Sequence, residues 1–600
     1  MSPRRRAACR LAPPAARTAA PRVAHAGGLA YIPSVAADAE PTRDALTRKA
    51  GMVGAAIFGS RILGLVREQV FAIVFGAGRE LDAFITAFRI PNLLRDLFAE
   101  GALSAAFVTT FSQTLTRDGE RAAWRLASLV MNALVLVVGV IVVAGIVASP
   151  AIVDWIAPGF AAIPGKSLLA AQLTRIMFPF ILMVALAAVV MGILNSKNVF
   201  GIPASASSFF NLGSVVGGLA CAYVLAPDFV RSGFGLAERA ADTGPGTDVA
   251  ARAIAGMAVG TLVGGILQFV VQLPALWRVG FHYRPILTLR DPGLRRVLTL
   301  MAPATIGAAA VQVNVLINNN FASYLGDGPV SWLNVAFRFM QLPIGVFGVG
   351  AAFVSLPAIS RHAARSDHGA MRSTLADALE FVFLFSIPAA LGLAVLGTPV
   401  IGLIYQHGRF TAADTAAAAG ALAAYAAGLC GYAGVKVVAP AFYALGDTRT
   451  PMLVSIVSIL VNYALNWTLV RALSFGHVGL ALSTATVATV NFAWLFYVLR
   501  TRIGGLEGKR LLRVAGRIGL AGAMMAAVVA AGDAALTGWL RGVTASPTLD
   551  YAVRVAVGTA LGVGAFAAGC WILGVGQPAL ALLRARRRRA AAPPRPGSGP

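Results

Sequence analysis

Charge is what this sequence has least of. Only 12% of its 600 residues are Asp, Glu, Lys or Arg, and acid is the scarcer sign, 25 residues against 50 bases. A soluble globule of this length needs a charged exterior, so this composition, with 58% hydrophobic residues, excludes one. A chain whose exterior faces lipid has no such need. A net charge of +25 in a soluble protein points to nucleic acid. In a membrane protein the placement of Lys and Arg matters instead, and no nucleic-acid partner is expected. Cysteine is nearly absent: Cys9, Cys221, Cys430 and Cys570 are far apart and form no CxxC, so neither a disulfide framework nor a thiolate metal site is indicated. The six histidines lie in the N-terminal extension or in loops, without metal-ligand spacing. No paired acids and no Ser/His/Asp set stand out. No catalytic site, metal or cofactor is expected.

What the chain has in abundance is apolar runs long enough to cross a bilayer. They fall at about 51–76, 81–113, 122–149, 167–195, 200–226, 251–279, 296–325, 329–360, 373–400, 413–445, 450–471, 477–500, 511–537 and 550–583. The expected fold is an all-α polytopic membrane protein of about fourteen transmembrane helices. With the N-terminus inside, about 34 of the 50 Lys and Arg fall in cytoplasmic segments and about 9 outside, a positive-inside bias that puts both termini in the cytoplasm. The basic segment "WRVGFHYRPILTLRDPGLRR" (277–296) is one inside loop, and "PDFVRSGFGLAERAADTGPGTD" (227–248) is an outside one.

The 277–296 loop divides the first twelve spans six and six, and a repeat coincides with the division. "AFRIPNLLRDLFAEGALSAAF" starts at Ala87 and "AFRFMQLPIGVFGVGAAFVSL" at Ala336, each in the second helix of its half, with Gly-Ala twelve residues after the shared Arg. Duplicated lobes with a site between them are a common transporter plan. The expected organisation is a disordered basic extension (1–48), an N-terminal six-helix lobe (49–280), a C-terminal six-helix lobe (281–502), two final helices (503–583) and a basic disordered tail (584–600). The extension has no apolar core and is no secretory signal. It reads as a cytoplasmic arm or as sequence ahead of a later start such as Met52, with an organelle presequence as the alternative.

Within the apolar runs sit charges that cost roughly 2.5–3.5 kcal/mol each at a membrane helix centre. Seven-residue spacing returns to nearly one helix face, so Ser60, Gly64 and Arg67 share a face and Arg61 and Glu68 the adjacent one. In the second helix Asp82, Thr86, Arg89 and Asp96 line a stripe, with Arg95 beside it. The second lobe offers Arg338, Lys436 and little acid. Guanidinium forks suit phosphate oxygens, so an arginine-lined cavity points to an anionic, phosphate-bearing substrate; the bland alternative is snorkelling side chains and ion pairs between helices. Asn314 and Asn318 in the seventh helix, and Asn462 and Asn466 in the eleventh, form a possible ion or polar site, with interhelical hydrogen bonding as the plainer role.

The segments "SRILGLVRE", "GAGRELDAFITAFRIPNLLRDLFAEGALSAAFV", "PVSWLNVAFRFMQLPIGVFGVGAAFVSLPAIS" and "KVVAPAFYALGDTRTP" resemble the MurJ (MviN) family of lipid II flippases, within the multidrug/oligosaccharidyl-lipid/polysaccharide exporter superfamily. The likeness runs from about 50 to 583 and is densest at 60–112. It implies two six-helix lobes around a central cavity that opens alternately to either side, with the last two helices forming a groove for the undecaprenyl tail. It ties Ser60, Arg61, Arg67, Asp82 and Arg95, with Ser331 and Arg338, to substrate handling. Two positions depart from the family pattern: Phe337 and Gln341 stand where acids often flank the eighth-helix Arg. A sodium-type site between the seventh and eleventh helices has only Asn in place of its usual carboxylate.

The expected function is therefore translocation of lipid II, the undecaprenyl-diphosphate-linked peptidoglycan precursor, across the bacterial inner membrane. Its partners are lipid II and membrane lipids, with a coupling cation or the membrane potential as the drive. The rivals are export of another lipid-linked oligosaccharide on the same fold, a membrane enzyme acting on polyprenyl phosphates, and a non-transporting scaffold.

Overall fold

The computed structural model describes residues 43–96, 102–237, 247–288, 290–540 and 546–575. The expected basic tail, most of the expected extension, and Glu100, an acid of the second apolar run, lie outside them. The chain divides into two units, Met1–Arg48 and Lys49–Pro600, and the account below concerns the second.

Every regular element among the described residues is helical. The first half of the chain comprises α1 (Arg43–Phe75), α2 (Arg79–Arg95), α3 (Ala102–Ile156), α4 (Lys166–Met177), α5 (Phe180–Ser196), α6 (Gly201–Leu225), α7 (Pro227–Gly233), α8 (Thr247–Val270) and α9 (Leu273–Arg278). The second half comprises α10 (Pro292–Ser323), α11 (Pro329–Pro343), α12 (Gly350–Ala364), α13 (His368–Val395), α14 (Gly397–Tyr405), α15 (Ala412–Ala426), α16 (Leu429–Ala444), α17 (Arg449–Asn466) and α18 (Gly476–Arg502). Two helices close the chain, α19 (Gly508–Leu540) and α20 (Pro547–Ile572). Ten of the described helices, or eleven counting the bent pair α15–α16, are long and apolar enough to cross a membrane.

Three expected single spans carry an internal irregularity, although Lys166–Ser196 and Pro329–Ala364 each still run as one membrane-length helix. The 167–195 run is interrupted at Phe178-Pro179, because proline lacks the N–H that would continue the ladder. The 413–445 run bends by 44° between α15 and α16. The 329–360 run passes through a π-helical turn, Ile344–Val349, directly after Pro343. Ala102–Ile156 is two helices that meet at a kink at Gly119 (φ 82°), inside the expected loop near 113–122. The short helices α7 and α14, at residues read as loop or span end, were not anticipated.

Close backbone contact fixes part of the first half. Gly256, Gly260 and Gly264 recur every fourth residue on α8, one face of the helix. A Cβ at Gly260 would lie 2.2 Å from the Cα of Gly218 on α6. Small residues let membrane helices approach this closely, where packing replaces the hydrophobic drive.

The buried cores show where the halves join. Near the α1–α2 turn one cluster mixes residues of both: Phe71, Phe84 and Phe160 with Phe339, Tyr405 and Phe410. Toward the other end there are two separate cores. One is built on Phe107, Trp124 and Ile193 and takes in Leu294 and Val297 from the start of α10; the other is built on Met371, Phe442 and Leu499. The last two helices are pinned by ions. Arg510 on α19 pairs with Asp377 and Glu380 on α13, both at 2.8 Å. Arg554 on α20 grips Asp533 on α19 through two hydrogen bonds of 2.7 and 2.8 Å.

Candidate functional site: an arginine cavity beneath a sealed seam

Between the halves lies a cavity of about 260 Å³ lined by Arg67, Glu68, Arg89, Asn92, Arg95, Asn334 and Arg338, with Phe71, Phe84 and Phe88 as an aromatic wall. The duplicated Ala-Phe-Arg motif explains the convergence: it places Arg89 on α2 and Arg338 on α11, and both helices face this space. The guanidiniums differ in what holds them. Arg95 donates twice to its neighbour Asp96, at 2.8 and 3.2 Å. Arg338 pairs with Glu68, and Arg67 stands 3.6 Å from the same carboxylate with its guanidinium over the Phe210 ring. Arg89 makes no ion pair among the described residues, and its buried Nε finds no acceptor. Uncompensated buried donors are costly, so Arg89 carries an unmet demand for an acceptor.

The other expected site residues scatter. Ser331 reaches the cavity wall. Ser60 does not line it; its carbonyl accepts from Asn211 Nδ2 at 3.1 Å, holding α1 to α6. Arg61 does not line it either. It is exposed, with its guanidinium beside Gly345 in the π-helical turn.

Asp82 departs furthest from a substrate-facing role. It is fully buried and accepts four hydrogen bonds: from Lys166 Nζ at 3.2 Å, Gly328 N at 2.8 Å, Ser331 N at 2.8 Å and Ser331 Oγ at 2.6 Å. Its carboxylate sits on the N-terminus of α11, where unsatisfied backbone N–H groups and the helix dipole favour a negative charge. An Asp of the first half thus caps a helix of the second. Lys166, also buried, completes the knot with Asp327 at 2.6 Å and the Phe160 ring at 4.3 Å.

A second clasp lies at the same end of the molecule. The 406–411 loop of the second half ends in a capping box, Thr411 with Asp414, and Trp332 Nε1 donates to Asp414 at 2.9 Å. The loop sets Arg409 N on the Ile73 carbonyl at 2.9 Å and the Arg409 guanidinium over Phe229 at 3.9 Å. Gly408 (φ +60°) makes this possible, since a Cβ there would come within 2.3 Å of the Ile73 oxygen.

The asparagines form a separate cluster. Asn466 Nδ2 lies between Asn318 Oδ1 (2.8 Å) and Asn462 Oδ1 (2.7 Å), and Asn318 Nδ2 donates to Thr484 at 2.9 Å. Asn314 is not part of it by any described hydrogen bond, and its buried Oδ1 lacks a donor.

Known proteins decide the family. The family model described as lipid II flippase MurJ matches residues 71–545. The chain belongs to the MurJ family. It is 36% identical to the lipid II flippase MurJ of Burkholderia cenocepacia, over 74% of this chain and 81% of that protein. It is 34% identical to the probable lipid II flippase MurJ of Vibrio cholerae, over 79% and 86%. Among solved structures it matches a lipid II flippase MurJ in an inward closed conformation, with TM-score 0.67 and 26% identity, covering 87% of this chain and 99% of that one. An inward-facing multidrug transporter of the MATE family shares the fold at TM-score 0.61 and 15% identity, over 75% and 96%. MurJ membership and ten apolar helices make this a multi-pass protein of the bacterial inner membrane.

Sequence reasoning missed Lys166, Asn92, Asn334 and Tyr405. For Lys166 a signal existed. A cation on the first residue of an apolar helix opposes the helix dipole, and such a lysine calls for an acid nearby.

Proposed function

We propose that the chain carries lipid II from the cytoplasmic to the periplasmic leaflet by alternating access. In this reading Arg67, Arg89, Arg95 and Arg338 hold the diphosphate while the head group crosses between the halves. The observation that carries it is Arg89 with its unpaired, buried Nε in a cavity of three further arginines. A guanidinium left without an acceptor in that setting is stabilised by a phosphate oxygen. The anion thereby avoids meeting hydrocarbon alone, where an unpaired charge is expensive.

The basic loops orient the protein: all fourteen passages are taken to cross, both termini are cytoplasmic, and the sealed α1–α2 end faces the periplasm. The cavity is small. At about 260 Å³ it falls just below the usual range for small-ligand sites, so a disaccharide-peptide head requires the halves to part. The two clasps at the periplasmic end are then the contacts that must open on each cycle. Ser331 acts at the cavity wall; Asp82 acts through the seam rather than on substrate; Arg61 acts at the π-helical turn. The polyprenyl tail stays in lipid beside α19 and α20.

A coupling cation has one candidate place among the described residues, the Asn318–Asn462–Asn466 cluster. There the Asn466 amide nitrogen already stands between two carbonyl oxygens. We read that cluster as a neutral staple between α10 and α17, and the membrane potential as the drive. The chain is read as a transporter and not as an enzyme on polyprenyl phosphates. Depleting the protein and measuring lipid II by leaflet tests the function. Accumulation on the cytoplasmic side is expected, and an unchanged distribution refutes it. Binding assays with other lipid-linked head groups separate lipid II from a different oligosaccharide cargo.

A further inference from the structure

Resting on the reading that the halves part at the two clasps, we propose that Tyr551 on α20 is a positioning residue for the second clasp: it holds the 406–411 loop in the shape that grips the first half. The Tyr551 hydroxyl donates to Gln406 Oε1 at 3.0 Å, and Gln406 is the first residue of that loop. Gln406 is also the C-cap of α14, with its N–H on the Gly402 carbonyl at 3.1 Å. Three residues on, Arg409 places its N–H on the Ile73 carbonyl and donates from its guanidinium to Ser232 Oγ at 3.0 Å. Helix α20 thus acts on the first half through a loop of the second.

The seat of α20 on α14 gives Tyr551 its purchase on the loop. The two helices exchange side chains through glycines. A Cβ at Gly402 on α14 would lie 2.5 Å from the Tyr551 ring, and one at Gly558 on α20 would lie 2.9 Å from Leu396, the N-cap of α14. Tyr551 and Gly558 are seven residues apart, on nearly one face of α20, so α14 is gripped at both ends. The grip is steadied from behind. Arg554, one turn past Tyr551 with its guanidinium 5.9 Å from that ring, is fixed to Asp533 on α19 and to Asp550. A loop containing Gly408 loses conformational entropy when it takes one shape, and the bond from Tyr551 at its root offsets part of that loss. In the proposed cycle the polyprenyl tail lies beside α19 and α20. The helices that meet the tail therefore also set the clasp.

The test measures how often the halves part, as the labelling rate of Ala336→Cys, a wholly buried position between the halves. It uses full-length protein in lipid nanodiscs with the native cysteines removed. Tyr551→Phe keeps the ring in its socket and loses the hydroxyl. It should speed labelling about three- to tenfold, the worth of one hydrogen bond. Gln406→Leu should do the same, and the double variant should go no further than either single one, because both remove one interaction. A control cysteine, Ala376→Cys in the separate core of the second half, should keep its rate. Unchanged labelling of Ala336→Cys in Tyr551→Phe overturns the proposal, since the tyrosine then only packs. So do additive shifts, or an equal rise at Ala376→Cys, which would mean general loosening. If Tyr551→Phe fails to reach the membrane, Gln406→Leu decides alone: faster labelling supports the proposal, and an unchanged rate overturns it. Lipid II flipping by the wild type in liposomes is a separate measurement. Its absence overturns the flippase reading, whereas intact flipping with unchanged labelling overturns only the role of Tyr551.

Discussion

Asp82→Asn puts the seam to the test most directly. The substitution keeps the volume of the side chain but replaces one acceptor oxygen with a donor. That NH₂ must face either the Lys166 ammonium and the Gly328 N–H, both donors, or the Ser331 N–H and hydroxyl. Removing one partner of a buried ion pair costs about 3–5 kcal/mol. Lys166 keeps Asp327 at 2.6 Å, so the lower part of that range, about 3 kcal/mol, is the better figure. The loss falls on contacts between the halves, so it weakens the closed seam relative to the open one. At 1.4 kcal/mol per factor of ten, 3 kcal/mol shifts that equilibrium roughly a hundredfold. The assay is the labelling rate of Ala336→Cys, a position wholly buried beside the seam, in a background lacking the native cysteines. Labelling should rise strongly in Asp82→Asn while membrane abundance holds. Adding Lys166→Met should recover part of the closure, because removing both partners of a buried pair costs less than removing one. Unchanged labelling at normal abundance refutes the seam.

Arg67→Ala should abolish flipping with abundance near normal, and Arg67→Lys should restore only part of it, since an ammonium lacks the bidentate fork; loss of abundance instead assigns Arg67 to helix packing. For topology, cysteines at 238 and 541 should react with an impermeant thiol reagent on intact cells and cysteines at 285 and 508 should not; labelling of 285 but not 238 inverts the orientation. Replacing sodium by potassium or choline should leave flipping unchanged. A sodium requirement that disappears in Asn466→Ala would make the asparagine cluster an ion site.

The membrane class and the arginine cavity were legible in sequence because both are written locally. Apolar runs and seven-residue spacing put Arg67 and Arg89 on definite faces, and the Ala-Phe-Arg repeat paired Arg89 with Arg338 before any contact was known. The partners of those charges were not legible. Periodicity places Asp82 and Arg89 on one stripe of α2, seven residues apart, yet the first caps a helix of the other half and the second lines the cavity. The difference comes from the short turn 324–328, which brings the N-terminus of α11 against Asp82 from about 245 residues away. Helix breaks were half legible: Pro179 and Pro343 marked two, whereas the break between α15 and α16 falls at an Ala-Gly pair with no proline. Arg61, charged and near the start of an apolar run, carried no sign of whether it faced substrate or the edge of the bundle.

The glycine face of α8 against α6 has a practical consequence. Backbones that touch at Gly218 and Gly260 leave no side-chain layer to slide or compress, so α6 and α8 translate and rotate as one plate. Spin labels placed on the outer faces of these two helices should keep one distance through the whole cycle. That pair is an internal ruler, and labels across the arginine cavity, from α6 to α11, can be read against it to separate true opening of the halves from tilting of the protein in its bilayer.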